Sequence, residues 1–573
     1  MSEPNGEENL RVNRFHKFSA GVIAAAIGGW AAAPIGHTQP GPATVRFVNV
    51  AAQARLDFVH RHSPTPEKHY PESVPGGLAV FDYNGDGRPD IFFTNGASVP
   101  SLDKTGDGYA NRLFRNDGGM RFTDVTDAAG VRGAGYSMGA AAADYDNDGH
   151  ADLFVAGVGR HQLLRNRGDG RFEDVTERAG IRGGEWGAAA GWFDYDSDGR
   201  LDLLVVNYVQ WSPQAGRYCG DQARGIRIYC HPRYFEGLPN RLYRNRGDGT
   251  FADTSAESGI GKHVGKGMSV AFADYDRDGR LDAFVTNDTV PNFLFHNNGD
   301  GTFRESAFAA GVAVPESGRP ISGMGVDFQD YDNDGWPDIN LTGISGETFP
   351  LFHNDGGVRP GTFVDATAAS GLAKNTVKLS GWCSVFADVD NDGDKDLFTA
   401  NSHPNDRIDR SEANGWRQAN SLSLNDGRGR FLDASADAGL GVAAVHRGCA
   451  VADFNQDGRL DIVVLLLGEA AELWQNESTA AHSWLTVRLS GVRSNRDGIG
   501  ARVTVGDQTR TMTTAAGYAS SAHAGVHFGL GTATGPVTVK IEWPSGASQV
   551  VENAAPNRVL TVIEGAAEAV RRQ

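Results

Sequence analysis

The stretch DYDNDGHAD, residues 144–152, places aspartates at its first, third, fifth and ninth positions and a glycine at its sixth. Alternating carboxylates before a glycine turn are the first half of a calcium loop, because a hard cation takes about six to eight oxygen ligands. The pattern recurs as DYNGDGRPD from Asp82, DYDSDGRLD from Asp194, DYDRDGRLD from Asp274, DYDNDGWPD from Asp330, DVDNDGDKD from Asp388 and DFNQDGRLD from Asp453. Successive copies start 50 to 80 residues apart. Self-similarity at such a period marks a repeat architecture, and it decides the fold class before any local propensity does.

Each interval holds a second motif: NRLFRNDGGMRF from Asn111, HQLLRNRGDGRF from His161, NRLYRNRGDGTF from Asn240 and NFLFHNNGDGTF from Asn292. These read as strand, turn, strand. The acidic loop also separates two apolar runs, such as GAAAA and LFVAGV, so each unit contains four short strands. Repeated four-stranded units predict an all-β fold, a seven-bladed β-propeller over residues 46–476. The 75 glycines suit its many turns. After the seventh loop the expected last strand is missing, and RFVNVAAQARL from Arg46 resembles it. An N-terminal strand is therefore expected to complete the seventh blade, leaving no open sheet edge. Alternation in WLTVRL, ARVTV and VTVKIEW predicts a small β-sandwich-like domain over residues 477–565, followed by a short tail, 566–573.

An EF-hand loop ends on Glu at position 12. Here that position is Phe93, Val155, Val205, Val285, Leu341, Thr399 or Val464, whereas position 9 is Asp in all seven copies. The loops read as nine-residue hairpin clamps for up to seven calcium ions. The expected ligands are Asp82, Asn84, Asp86 and Asp90; Asp144, Asp146, Asp148 and Asp152; Asp194, Asp196, Asp198 and Asp202; and Asp274, Asp276, Asp278 and Asp282. They continue as Asp330, Asp332, Asp334 and Asp338; Asp388, Asp390, Asp392 and Asp396; and Asp453, Asn455, Asp457 and Asp461. Asn84 and Asn455 bring less charge, so the first and last sites are expected to be weaker. Seven divalent ions would offset most of the formal net charge of -18. That charge argues against a nucleic-acid partner, whose phosphates require a basic surface.

RVNRFHKF precedes the uncharged run SAGVIAAAIGGWAAAPIG, and residues 1–45 therefore read as a leader with an export signal and linker. The expectation is a secreted or cell-envelope protein. An uncleaved N-terminal anchor is one alternative, and a cytoplasmic location, favoured by Glu3, Glu7 and Glu8, is another. No other stretch resembles a membrane span. Cys219 and Cys230 flank a short segment of an insertion and suggest a disulfide-closed loop. Cys383 and Cys449 head apolar runs and read as buried free thiols.

The repeats resemble integrin-type FG-GAP (VCBS-like) blades. SWLTVRLSGVRSNRDGIGARVTV, GYASSAHAGVHFGLG and VKIEWPSGASQ resemble the ASPIC/UnbV domain that follows such blades in the cartilage acidic protein family and its bacterial relatives. The resemblance covers about residues 46–565. It implies a calcium-stabilised, generally exported binding protein. The UnbV branch also implies an alternative, an enzyme or handling protein of enediyne or polyketide-type metabolism.

In a four-stranded meander the metal loops follow strand one, and the long insertions at residues 208–240 and 401–420 follow strand two, on the opposite face. That face is the expected site for a protein, glycan or small-molecule ligand. Its candidate residues are His69, Glu72, Glu185, Trp186, His263, Lys266, Arg319, Lys378, His446 and Arg447. No recognised catalytic motif is present: GYSMG around Ser137 leads into a strand in register with the other repeats, not into a nucleophile elbow.

Overall fold

A computed structural model of the chain describes residues 45–214, 216–410 and 415–566. The expectations for the leader, residues 1–44, and for the tail beyond residue 566 fall outside the described residues. No helix among the described residues is long and apolar enough to cross a membrane.

Six sheets hold a four-stranded meander in sequence order, and a seventh has the same order with an N-terminal strand in the fourth place. The second is representative: Tyr136–Ala143, Asp152–Val158, Gln162–Asn166 and Phe172–Asp174 pair in order as antiparallel neighbours. Its first two strands are buried along their whole length. Both faces are covered by neighbouring sheets, so these strands read as continuous runs of small and apolar residues. The first strands, Leu78–Phe81, Tyr136–Ala143, Gly187–Phe193, Gly267–Ala273, Val326–Gln329, Gly381–Ala387 and His446–Ala452, each contact the next, and the last contacts the first. Phe47–Asn49 pairs with Glu472–Asn476 in the sheet that begins at His446–Ala452.

The C-terminal part forms two sheets around a core that includes Leu485, Val503, Phe528, Ile541 and Val562. One hairpin leaves it. Ala515–Ala516 pairs with Ser520–Ala522, which adds in parallel to Leu78–Phe81 with Ala79 opposite Ser521. The hairpin runs between the first strands: Gly517 exchanges two backbone bonds with Val326, and Ala140 N–H donates to the Ala519 carbonyl at 3.0 Å. A Cβ on Gly77 would lie 2.1 Å from that same carbonyl oxygen. The alanine- and glycine-rich first strands thus leave the space that the hairpin fills.

One expectation needs correction. Cys383 and Cys449 are not free thiols but a disulfide, with Cα atoms 5.7 Å apart. They sit on Gly381–Ala387 and His446–Ala452, first strands of neighbouring sheets, so residues 66 apart in sequence face each other. Both are buried. Replacing both by serine is expected to lower unfolding free energy by about 2–4 kcal/mol. Urea unfolding measures this, and a thiol reagent should find nothing to label in the native, oxidised protein. Cys219 and Cys230 also form a disulfide.

Candidate functional site

Each acidic loop is wrapped around its first aspartate. The N–H of the position-6 glycine donates to the second carboxylate oxygen of Asp82, Asp144, Asp194, Asp274, Asp330, Asp388 and Asp453 at 2.7–3.0 Å. Position 4 lies in the left-handed region in every copy, with φ between 57° and 74°, which turns the chain back sharply. The ninth residue, Asp90, Asp152, Asp202, Asp282, Asp338, Asp396 or Asp461, is buried and links its loop to the third strand. In the second sheet Asp152 accepts from Tyr145 N–H at 3.2 Å and Asn166 N–H at 2.7 Å. These bonds fix the carboxylates while leaving lone pairs for a cation.

The donor set fits a hard divalent ion. Ligand atoms of Asp144, Asp146 and Asp152 all lie within 4.8 Å of one another, as do those of Asp194, Asp196 and Asp202 and of Asp274, Asp276 and Asp282. The buried Oδ1 atoms of Asp146, Asp196, Asp276 and Asp330 have no hydrogen-bond partner. Burial, followed by repulsion from neighbouring carboxylates, pushes Asp388 up to about 8 and Asp144 up to about 7. Burial does the same to Asp90, up to about 8, and to Asp194, up to about 7. Such a cluster is unfavourable without positive charge. Third-strand cations supply part of it: Arg165 Nε lies 2.5 Å from Asp146 and Arg244 Nε 2.6 Å from Asp196. In the next two sheets histidines take that position, with His296 Nδ1 3.4 Å from Asp282 and His353 Nδ1 3.2 Å from Asp338.

A further residue, read from sequence only as a turn former, ties the loops together. The third-strand asparagine of every sheet donates through Nδ2 to the carbonyl at position 2 of the preceding sheet's loop. Asn166 reaches Tyr83, Asn245 Tyr145, Asn297 Tyr195, Asn354 Tyr275, Asn425 Tyr331 and Asn476 Val389, at 2.7–3.0 Å. Asn116 of the first sheet reaches Phe454 of the last at 2.9 Å. Its recurrence in all seven copies was the available signal. Asn166→Ala would strand the buried carbonyls of Tyr83 and Ala151. It is expected to cost about 2 kcal/mol or more in urea unfolding, against under about 0.5 kcal/mol for an exposed control such as Arg171→Ala.

The C-terminal domain sits on these loops. Asp144 N–H donates to Asp497 at 2.7 Å, and Arg496 N–H to Asn147 at 2.7 Å. Arg488 reaches the Gly87 carbonyl at 3.0 Å, Arg510 reaches Asn333 at 3.3 Å, and His527 Nε2 lies 2.7 Å from Asn391 Oδ1. Asn147, Asn333 and Asn391 are all left-handed position-4 residues. The loop turn therefore presents the side chains that meet the domain.

The FG-GAP-like repeat model matches residues 82–155, 145–205, 234–285, 274–341, 330–399 and 400–464, together more than half of the chain, and the ASPIC and UnbV model matches residues 491–569. The chain belongs to the FG-GAP-like repeat family. Cartilage acidic protein 1 of Homo sapiens is 28% identical over 334 residues, covering 56% of this chain and 47% of the relative. The Mus musculus protein is 28% identical over 336 residues, covering 56% and 48%. The chain thus spans about half the length of the curated relatives it matches. Among solved structures, an Agrocybe aegerita lectin that recognises non-reducing terminal N-acetylglucosamine aligns at TM-score 0.36 and 18% identity, covering 63% of this chain and 79% of the lectin. YCF48 bound to D1 peptide aligns at 0.38 and 9%, covering 76% and 98%.

On the other side of this FG-GAP protein, the insertion after Asp202–Asn207 builds a cavity of about 530 Å³. The Cys219–Cys230 loop covers it, Tyr70, Tyr229 and Tyr234 form walls, and Asp288 and Met324 lie among its lining residues. None of the ten face residues chosen from sequence lines it. Four brace it from behind. Glu72 accepts from Thr65, His69 N–H and the Tyr229 hydroxyl, and burial pushes its carboxyl up. Lys266 Nζ donates to the Pro232 carbonyl at 2.8 Å, Trp186 packs edge-on against Tyr70 and Tyr208, and Arg447 donates to the Ser73 carbonyl at 2.7 Å while lying over Trp382.

The remaining six stand apart. His69 is half-buried against Trp211, Glu185 pairs with Arg241 at 2.5 Å, and His263 packs on Phe293 and Phe295. His446 lies between the Asn401 carbonyl and Glu472, and Arg319 and Lys378 are exposed. Asp288, which the sequence reading passed over, directly follows strand Asp282–Asn287, the place Tyr208 takes after Asp202–Asn207. An acid at that position was its only signal.

Proposed function

We propose that the chain is an exported, calcium-loaded, seven-bladed β-propeller acting as a binding protein, with its ring closed by the Phe47–Asn49 strand and its ligand taken on the face opposite the calcium loops. The observation that carries this reading is the division of labour between faces. The loop face is occupied by the C-terminal domain, while the other keeps an open cavity with tyrosine walls. The bond from Asn116 to Phe454 supports ring closure, because it repeats between first and last sheets the link that joins every consecutive pair. Two disulfides support an oxidising compartment. Fractionation of cells should find the protein outside the cytoplasm. Native mass spectrometry after calcium addition should show up to seven bound ions, and Asp152→Ala should remove one. A mass unchanged by calcium would refute the metal part of the reading.

A further inference from the structure

The cavity under the disulfide loop has a floor that its own side chains leave incomplete. Asp288 lines it and is 3% exposed. Its Oδ2 accepts the Tyr208 hydroxyl at 2.5 Å, and Tyr208 is in turn bonded to the Tyr70 hydroxyl. Its Oδ1 has no hydrogen bond of good geometry, although the Ser322 side chain lies close to the carboxylate. Burial pushes this carboxyl up to about 6, with Tyr208 and Ser322 favouring its charged form and the charge of Glu347 opposing it. Glu347 is occupied elsewhere, accepting from the Ser322 and Ile344 N–H groups. Lys266 is the cation whose charge Asp288 feels, and its ammonium is committed to the Pro232 carbonyl.

A buried carboxylate without a counter-ion is costly. The rings of Tyr70, Tyr218, Tyr229 and Tyr234 line the same cavity. Aromatic faces attract cations, most strongly when both are out of water. The chain's own cations take ring faces rather than the carboxylate: Lys68 lies over Tyr229 at 4.9 Å, Arg227 over Tyr218 at 5.2 Å, and Arg217 and Arg233 over Tyr234 at 4.7 and 4.9 Å. Among the described residues this leaves Tyr70 as the cavity tyrosine uncovered by a cation, bonded through Tyr208 to Asp288. An anion would be repelled by Asp288, and an uncharged hydrocarbon would leave its Oδ1 unpaired.

We infer that this cavity binds an organic ammonium compound, with the cationic nitrogen at Asp288 and the carbon skeleton among the tyrosines. The inference rests on the reading of this face as the ligand face and names its ligand class. It is tested on the full, calcium-loaded chain by calorimetry with three probes of one shape: benzylamine, benzyl alcohol and benzoate. Benzylamine should bind at least about ten-fold more tightly than benzyl alcohol, and benzoate should not bind, since one close charge pair out of bulk water is worth at least about a factor of ten. Asp288→Asn, which keeps the volume, should abolish the preference. Tyr218→Ala removes an exposed wall and should weaken benzylamine while leaving the melting temperature unchanged. Equal or tighter binding of benzyl alcohol or benzoate would overturn the ammonium inference and leave the face as a ligand site of another class. If none of the three binds at millimolar concentration, the ammonium inference falls, while the ligand-face reading, which also admits a protein or glycan, stands.

Discussion

Adding a chelator to the calcium-loaded protein is expected to lower its melting temperature by about 10 °C or more, and excess calcium should restore it. Each occupied site adds about 2.7 kcal/mol when free calcium exceeds its Kd a hundredfold, and the chain carries seven loops. Metal removal also leaves the carboxylates to repel one another, with Asp388 and Asp90 held up to about 8 and Asp282 and Asp338 up to about 7, chiefly by burial. In the unfolded chain these groups titrate near about 3.9. Folded values above unfolded ones mean that the metal-free fold holds extra protons. Their stabilising contribution is present in full below the unfolded value and is lost as pH rises through about 7 to 8. In chelator, therefore, the melt should be higher at pH 5.5 than at pH 8. With calcium the order should reverse, because protons then compete with the ion. A melt insensitive to chelator at pH 8 would refute calcium as the stabiliser of these loops.

The repeat was legible because its signals are local. Nine residues carry the loop, and the Asn-Gly and Asp-Gly turns that follow carry the hairpins, so strand order came directly from spacing. The strand Phe47–Asn49 was found the same way, as a fragment missing at one end and present at the other. What failed was everything that depends on which residues meet across sheets. Cys383 and Cys449 look unrelated until neighbouring first strands bring them together. Asp288 resembles any acid after a strand until Tyr208, from the previous sheet, reaches it. Arg447 and His446 were chosen as rim residues for their chemistry, yet both are buried, because they begin the first strand His446–Ala452 rather than belonging to the connection before it. Alternation and turn chemistry report the neighbours along a strand and within a sheet and carry no information about the residues that meet between sheets.

The hairpin of the C-terminal domain is another such contact, and its tip residue should be the most sensitive single side chain in it. Tyr518 is fully buried; its ring meets Trp382 edge-on at 4.9 Å and its hydroxyl donates to the Val74 carbonyl at 2.5 Å. Truncating a buried aromatic ring removes transfer energy and leaves a cavity that rigid strands cannot collapse around. Tyr518→Ala is expected to lower unfolding free energy by about 3–5 kcal/mol, read from the urea midpoint at unchanged slope. Tyr518→Phe keeps the ring and loses one hydrogen bond, and should cost about 1 kcal/mol. The ratio between the two variants separates packing from hydrogen bonding. Val74 also lines the opposite cavity, so one residue touches both the hairpin that comes from the metal-loop side and the proposed ligand pocket. If the hairpin is seated, chelation should expose residues 511–525 to protease, because the same domain rests on Asn147, Asn333 and Asn391 of the loops. A Tyr518→Ala variant as stable as the parent, with the hairpin equally protected in chelator and in calcium, would mean that the domain is held without its hairpin and without the ions.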